Sequence, residues 1–207
     1  LDIIPSTRLS NYIFKNKNGL EFQNVVAEWG MDQVSFSNGT AYADLDADGD
    51  LDIVVNNISD PAFIYENKSG GNNYLQINFK GTDKNTLGIG TRVTAYMDDG
   101  TMQYAEMTTN RGFFSSSEPI LHFGLGDHTT VSRLEVVWPD GKSQVIEAVD
   151  ANQRLNIDYK NATKNALPVA ALAPAIFKEA AASLGINYKH TENEFQDFNR
   201  EQLLPHK

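Results

Sequence analysis

Between Asp44 and Asp52 the chain reads Asp-Leu-Asp-Ala-Asp-Gly-Asp-Leu-Asp, with an acid at every second position. Two carboxylates about 5 Å apart repel by roughly 0.8 kcal/mol at the dielectric of water and about 3 kcal/mol at an effective value of 20, and several such pairs coexist here. A closed loop of this sequence therefore calls for a cation. Asp44, Asp46, Asp48 and Asp52 occupy loop positions one, three, five and nine, Gly49 falls at six, and Asp50 offers a main-chain carbonyl at seven. That is the donor pattern of a hard ion seeking six to eight oxygens, and Gly49 permits the sharp turn that aims the ligands inward. Many anionic oxygens at variable geometry favour calcium over magnesium, which demands a near-octahedral shell and keeps its waters. The bland alternative is a solvated acidic turn, against which the register of four carboxylates with a glycine weighs. An EF-hand is excluded by Val55 at position twelve and by flanks, Thr40 to Ala43 and Leu51 to Val55, that read as strands. An Asp-x-Asp phosphatase pair is set aside, since no following Thr or phosphate-binding Gly/Lys element accompanies it.

From Asn73 onward the apolar period is two: Leu75, Ile77 and Phe79 alternate with Gln76, Asn78 and Lys80, as in a half-buried strand. Asp98-Asp99-Gly100-Thr101 predicts a hairpin between Val93–Met97 and Met102–Met107, and Pro139-Asp140-Gly141-Lys142 predicts another between Leu134–Trp138 and Ser143–Val149. Leu155, Ile157 and Tyr159 close the region. Short strands with almost no helix between them predict an antiparallel β-sandwich over residues 73–159, with Leu75, Ile77, Val93, Val136 and Leu155 inside. Residues 160–175 are small and Pro-punctuated, and read as a linker.

Two internal repeats organise the rest. Ile13-Phe14-Lys15-Asn16 recurs as Ile64-Tyr65-Glu66-Asn67, an offset of 51 residues and about one propeller blade. The run Phe22 to Met31 (FQNVVAEWGM) recurs at Phe177 to Ile186 (FKEAAASLGI), an offset of 155. Residues 1–72 are thus expected to be blade elements, and 176–207 the start of a further repeat region.

A net charge of −10 repels phosphate backbones, so nucleic acid is not an expected partner. No apolar run approaches the roughly 20 residues of a membrane span, and no secretory leader is visible within the chain. The absence of cysteine excludes disulfides and thiolate metal sites without fixing the compartment. Sequons begin at Asn38, Asn57, Asn67 and Asn161, hardly more than an Asn-rich chain yields by chance.

The run NGTAYADLDADGDLDIVVNN, with the endings IFKN and IYEN, resembles the FG-GAP or VCBS repeats of integrin-type β-propellers. That resemblance implies calcium held by Asp44, Asp46, Asp48, Asp52 and the Asp50 carbonyl. NYLQINFKG, NTLGIGTRV, RGFFSSSEPILHFGLG and VVWPDGKSQ resemble the ASPIC/UnbV domain that follows such repeats in bacterial surface proteins and in cartilage acidic protein. Together they imply an all-β, exported protein at the extracellular or outer-membrane surface, associated with the rest of its own chain or a larger complex. No reaction is implied.

Other residues invite functional readings. His122, between Leu121 and Phe123 on an alternating strand, reads as structural. Arg111 with Ser115 to Ser117 could form an anion pocket but reads better as a bracing loop, and Gly88 and Gly90 make only part of a dinucleotide fingerprint. Trp138 reads as core. The leading expectation is a calcium-stabilised scaffold, not an enzyme, that binds a protein or a glycan. Its rival is the non-catalytic part of a propeller-based polysaccharide-degrading enzyme, which an acid–base pair in a cleft would favour.

Overall fold

The computed structural model describes residues 7–163, which form one compact unit, and residues 176–191, which belong to a second. The expected features on 164–175 and 192–207 lie outside the described residues.

The first unit opens with short strands: β1 (Leu9–Ser10), β2 (Phe14–Asn16), β3 (Phe22–Asn24) and β4 (Val34–Ser35). Longer ones follow, β5 (Ser37–Ala43), β6 (Asp52–Asn57) and β7 (Phe63–Tyr65). β1 pairs with β4, β2 with β3, and β5-β6-β7 form an antiparallel sheet with the acid loop at its β5–β6 turn. None of these sheets closes into a ring. Both copies of the IFKN/IYEN repeat fall on or beside a strand, β2 and β7.

Next come β8 (Asn73–Lys80), β9 (Arg92–Tyr96), β10 (Met102–Glu106), β11 (Asn110–Gly112), β12 (Ser115–Ser116), β13 (Ile120–Gly126), β14 (Thr130–Val137), β15 (Ser143–Asp150) and β16 (Gln153–Asp158). A four-stranded sheet in the order β10-β9-β14-β15 and a three-stranded sheet in the order β13-β8-β16 share one core. Leu75, Ile77 and Phe79 of β8 meet Val93, Ala95, Leu134 and Val136 there, and Leu155 packs at its edge. Both predicted hairpins form. Gly100 (φ +85°) and Gly141 (φ +83°) take the left-handed turn positions, and Trp138 N donates to the Lys142 carbonyl at 2.8 Å.

The antiparallel expectation needs one correction: β16 runs parallel to β8. After β15 the chain turns a corner through Asn152 (φ +59°) and crosses to the other sheet instead of folding back on its neighbour. Asn152 pins that corner to the start of β8, its N–H donating to the Tyr74 carbonyl at 2.7 Å and its Oδ1 accepting from Tyr74 N at 3.2 Å. Strand direction is set by that crossing, which residue alternation does not encode. The first residues of the expected linker form a 3₁₀ turn at Tyr159–Asn161, and Thr163 bridges to Ser143.

In the second unit, residues 176–191 make the same hydrogen bonds as the first copy of the sequence repeat. In the first copy Val26 N donates to Asn24 Oδ1, Trp29 N to the Val25 carbonyl, Gly30 N to that of Ala27 and Met31 N to that of Val26. At the same offset Ala181 N donates to Glu179 Oε1, Leu184 N to the Ala180 carbonyl, Gly185 N to that of Ala182 and Ile186 N to that of Ala181. Gly30 (φ +71°) and Gly185 (φ +70°) end both turns in the left-handed region. Val25 and Met31 of the first copy are buried, whereas Phe177, Leu184 and Ile186 of the second are exposed.

Candidate cation site at the acid loop

The loop closes on its own backbone. Asp46 Oδ1 accepts from Asp48 N at 3.3 Å, Asp48 Oδ1 from Asp50 N at 3.0 Å, and Asp44 Oδ2 from Gly49 N at 3.2 Å. Ala47 (φ +63°) and Gly49 (φ +98°) supply the left-handed residues that reverse the chain. The result gathers carboxylate oxygens of Asp44, Asp46 and Asp48 within 4.8 Å of one another. Asp52, buried at the base, plays a different part: Oδ2 accepts from Leu45 N at 2.9 Å and Oδ1 from Asn67 N at 2.8 Å, clamping the loop shut and joining it to the segment after β7. The Asp50 carboxylate, assigned no role by the sequence pattern, has both oxygens buried without a partner, as is Asp44 Oδ1.

Those orphaned oxygens test whether a cation suits the residues present. A buried carboxylate oxygen without a donor is costly unless it is protonated or binds a positive ion. Burial, followed by the charge of Asp48 and its neighbours, pushes Asp50 up to about 6. Asp46 is also raised, by desolvation and then Asp48. All-oxygen, anionic donors with unspent lone pairs fit a hard divalent cation. Asp44, Asp46 and Asp48 would hold it, with Asp50 and Asp52 at hand.

The loop does not stand free: it sits on the outer face of the sandwich. Gly49 is buried against the Tyr74 ring, which a Cβ at that position would overlap. In the register of the three-stranded sheet His122, Gln76 and Arg154 lie side by side on β13, β8 and β16. Gln76 Nε2 donates to Asp44 Oδ2 at 2.7 Å, and Gln76 Oε1 accepts from Arg154 Nε at 2.8 Å. His122 stacks on Tyr74 with centroids 5.9 Å apart. Burial pushes the imidazole down, and the Asp44 charge partly offsets this. Its Nδ1 is buried without a partner.

The expected bracing loop exists, but it braces the acid-loop sheet. β11 and β12 pack against β5; Arg111 lies over the Tyr42 ring at 5.6 Å, and Tyr42 N donates to Ser117 Oγ at 3.4 Å. Gly39 of β5 leaves room for the Phe113 carbonyl. Trp138 is core, edge-on to Phe79 and Tyr159, and Gly88 fits beneath Phe79 and Trp138. Of the sequons, Asn57 is buried and bonded to Pro61 and Ser37, which leaves no access for a glycan.

The sequence pattern gives Gln76, Tyr74 and Arg154 no role in the site. The available signal was the uncharged Gln76 and Asn78 on a strand face that alternation assigns to solvent, where Lys or Glu is commoner. A second cluster, Asp98, Asp99 and His128, lies at the β9–β10 turn. There His128 Nδ1 faces Asp98 at 3.4 Å and Nε2 faces Asp99 at 3.5 Å. His128, from the connection between β13 and β14, thus sits between the two carboxylates of the β9–β10 turn. Among the described residues, no helix is long and apolar enough to cross a membrane.

Residues 81–164 match the family described as ASPIC and UnbV. The match begins just after β8, so the strand that carries Gln76 lies outside it. Over 127 residues the chain is 31% identical to cartilage acidic protein 1 of Xenopus tropicalis and 29% identical to the proteins of that name in Mus musculus and Homo sapiens. Each match covers 58% of this chain and 19% of the relative. The chain spans about a fifth of the length of the curated relatives it matches.

Proposed function

We propose that this chain is a non-catalytic, calcium-stabilised module of a larger extracellular or cell-surface protein. In this reading FG-GAP/VCBS-type blade elements are fixed to an ASPIC/UnbV-like sandwich by one calcium ion bound at Asp44, Asp46 and Asp48, with Asp50 completing the site and Asp52 clamping the loop at its base. One observation carries it: three carboxylates converge, with buried and unpartnered oxygens beside them, on a loop hydrogen-bonded to the sandwich. The ion's role is to neutralise the loop and so hold two β structures together. Similarity to the longer cartilage acidic proteins supports the larger-protein reading, and the partner we propose for it is a protein or a glycan.

Two further features support the repeat reading. Phe14, Phe22, Trp29 and Ile64 are exposed, and a groove of about 850 Å³ runs between Trp29, Met31, Leu51, Ile53, Ile64 and Tyr65, as on a blade that packs against neighbours. The duplicated turn at Phe177–Ile186 matches the start of such a unit in hydrogen bonding as well as in sequence.

Melting of the full chain tests the proposal. An ion that binds only the folded loop stabilises it by about 2.7 kcal/mol at a hundred times its Kd. For a chain of this size that corresponds to a rise in Tm of about 5–10 °C relative to chelator. Asp48→Ala should melt at the same temperature with or without calcium. Identical melting of the unaltered chain in calcium and in chelator contradicts the proposal. A glycan array with the full chain separates a glycan partner from a protein one.

A further inference from the structure

We propose that Gln76 is a positioning residue for the cation site, oriented by Arg154, so that the sandwich sets the affinity of a loop it does not contain. The inference rests on the cation reading above and adds to it a residue pair outside the acid loop.

Gln76 is a buried amide at the junction of two β structures. Its Nε2 donates to Asp44 Oδ2 at 2.7 Å, and that same oxygen accepts from Gly49 N at 3.2 Å. Asp44 Oδ2 is thereby occupied and Oδ1 is left buried with no protein partner. A carboxylate held by one oxygen is restricted to binding an ion through the other, in a fixed direction. At the far end Oε1 accepts from Arg154 Nε at 2.8 Å. A flipped amide would set its oxygen against the Asp44 carboxylate and its NH₂ against the guanidinium, replacing two attractive contacts with two repulsive ones. Arg154 therefore selects the amide orientation that serves Asp44. The His122, Gln76 and Arg154 register places this relay on β8 and β16 of the sandwich, directly under the loop. Partners that orient metal ligands in this way are commonly worth 10–100-fold in affinity. Reciprocity follows: if docking on Gln76 favours the ion, the ion favours docking by the same factor.

The experiment is titration of the full chain with calcium alone, comparing the unaltered protein with Gln76→Met and Arg154→Met. Gln76→Met keeps the size of the side chain and removes the donor, and is expected to weaken binding by about 10–100-fold. Arg154→Met supplies the discriminating sign. Removing a positive charge beside an acidic site tightens cation binding by charge alone, whereas positioning through Gln76 predicts weakening of about tenfold. Terbium luminescence lifetimes in H₂O and D₂O give a second readout, since a loosened Asp44 admits about one more bound water. Should Gln76→Met fail to fold, Arg154→Met still carries the test. Unchanged affinity in a folded Gln76→Met, or tighter binding in Arg154→Met, overturns the inference while leaving the cation site standing. Absence of calcium binding in the unaltered chain overturns both.

Discussion

Replacing Gly49 with alanine is expected to undo the junction between the acid loop and the sandwich. Two costs add. A φ of +98° is unfavourable for a residue with a Cβ by roughly 1–2 kcal/mol. The new methyl would also overlap the Tyr74 ring, and overpacking of this kind costs about 1–3 kcal/mol. Moving the Tyr74 ring aside would also disturb its stacking on His122. Chemical denaturation should therefore register a loss of about 2–5 kcal/mol, together with loss of the calcium-dependent rise in Tm. Combining Gly49→Ala with Tyr74→Ala should return part of that loss, because the overlap is removed and only the backbone term persists. A Gly49→Ala chain as stable and as calcium-responsive as the original would show that the loop does not rest on Tyr74.

Trp138→Ala is expected to have a comparable or larger effect on stability, and for a different reason. The indole is buried at the end of β14, edge-on to Phe79 of β8 at 5.5 Å and to Tyr159 at 5.2 Å, so it spans the space between the two sheets. The Trp138 main-chain N–H, which alanine retains, closes the Pro139–Gly141 turn on the Lys142 carbonyl, and Tyr159 is fixed by donating to Asp140 Oδ2 at 2.7 Å, so the loss expected is that of the ring. Truncating a buried Trp to Ala typically costs about 3–5 kcal/mol, part lost burial and part residual cavity. Equilibrium denaturation should show that loss, whereas a change below about 1 kcal/mol would mean that the two sheets do not close on this residue.

What could be read from the sequence was what is local. The hairpins at Gly100 and Gly141 follow from turn chemistry within four residues, and the inward set of Leu75, Ile77, Val93 and Val136 follows from alternation. The acid loop was legible because its carboxylates, its glycine and its flanking strands fall within about a dozen residues. Asp52 shows the limit of spacing: its position in the pattern marks a ligand, but spacing could not reveal that its two oxygens already accept from Leu45 and Asn67. Contacts between distant segments left no such mark. The parallel pairing of β16 with β8 depends on a corner at Asn152, and the brace from Arg111 to Tyr42 joins residues far apart in the chain. Gln76 is the most instructive case. Alternation put it on the outer face, where it is; only the acid loop folded over that face buries it.

Whether the acid loop holds one calcium ion is decided by titration calorimetry on the chelator-treated full chain. The expected result is one ion per chain with a Kd of about 10⁻⁵ to 10⁻³ M, in keeping with sensor and extracellular sites, and no binding in Asp46→Ala or Asp48→Ala. Calcium binding that persists unchanged in both variants, or no binding by the unaltered chain, would mean that the acid loop is not a calcium site.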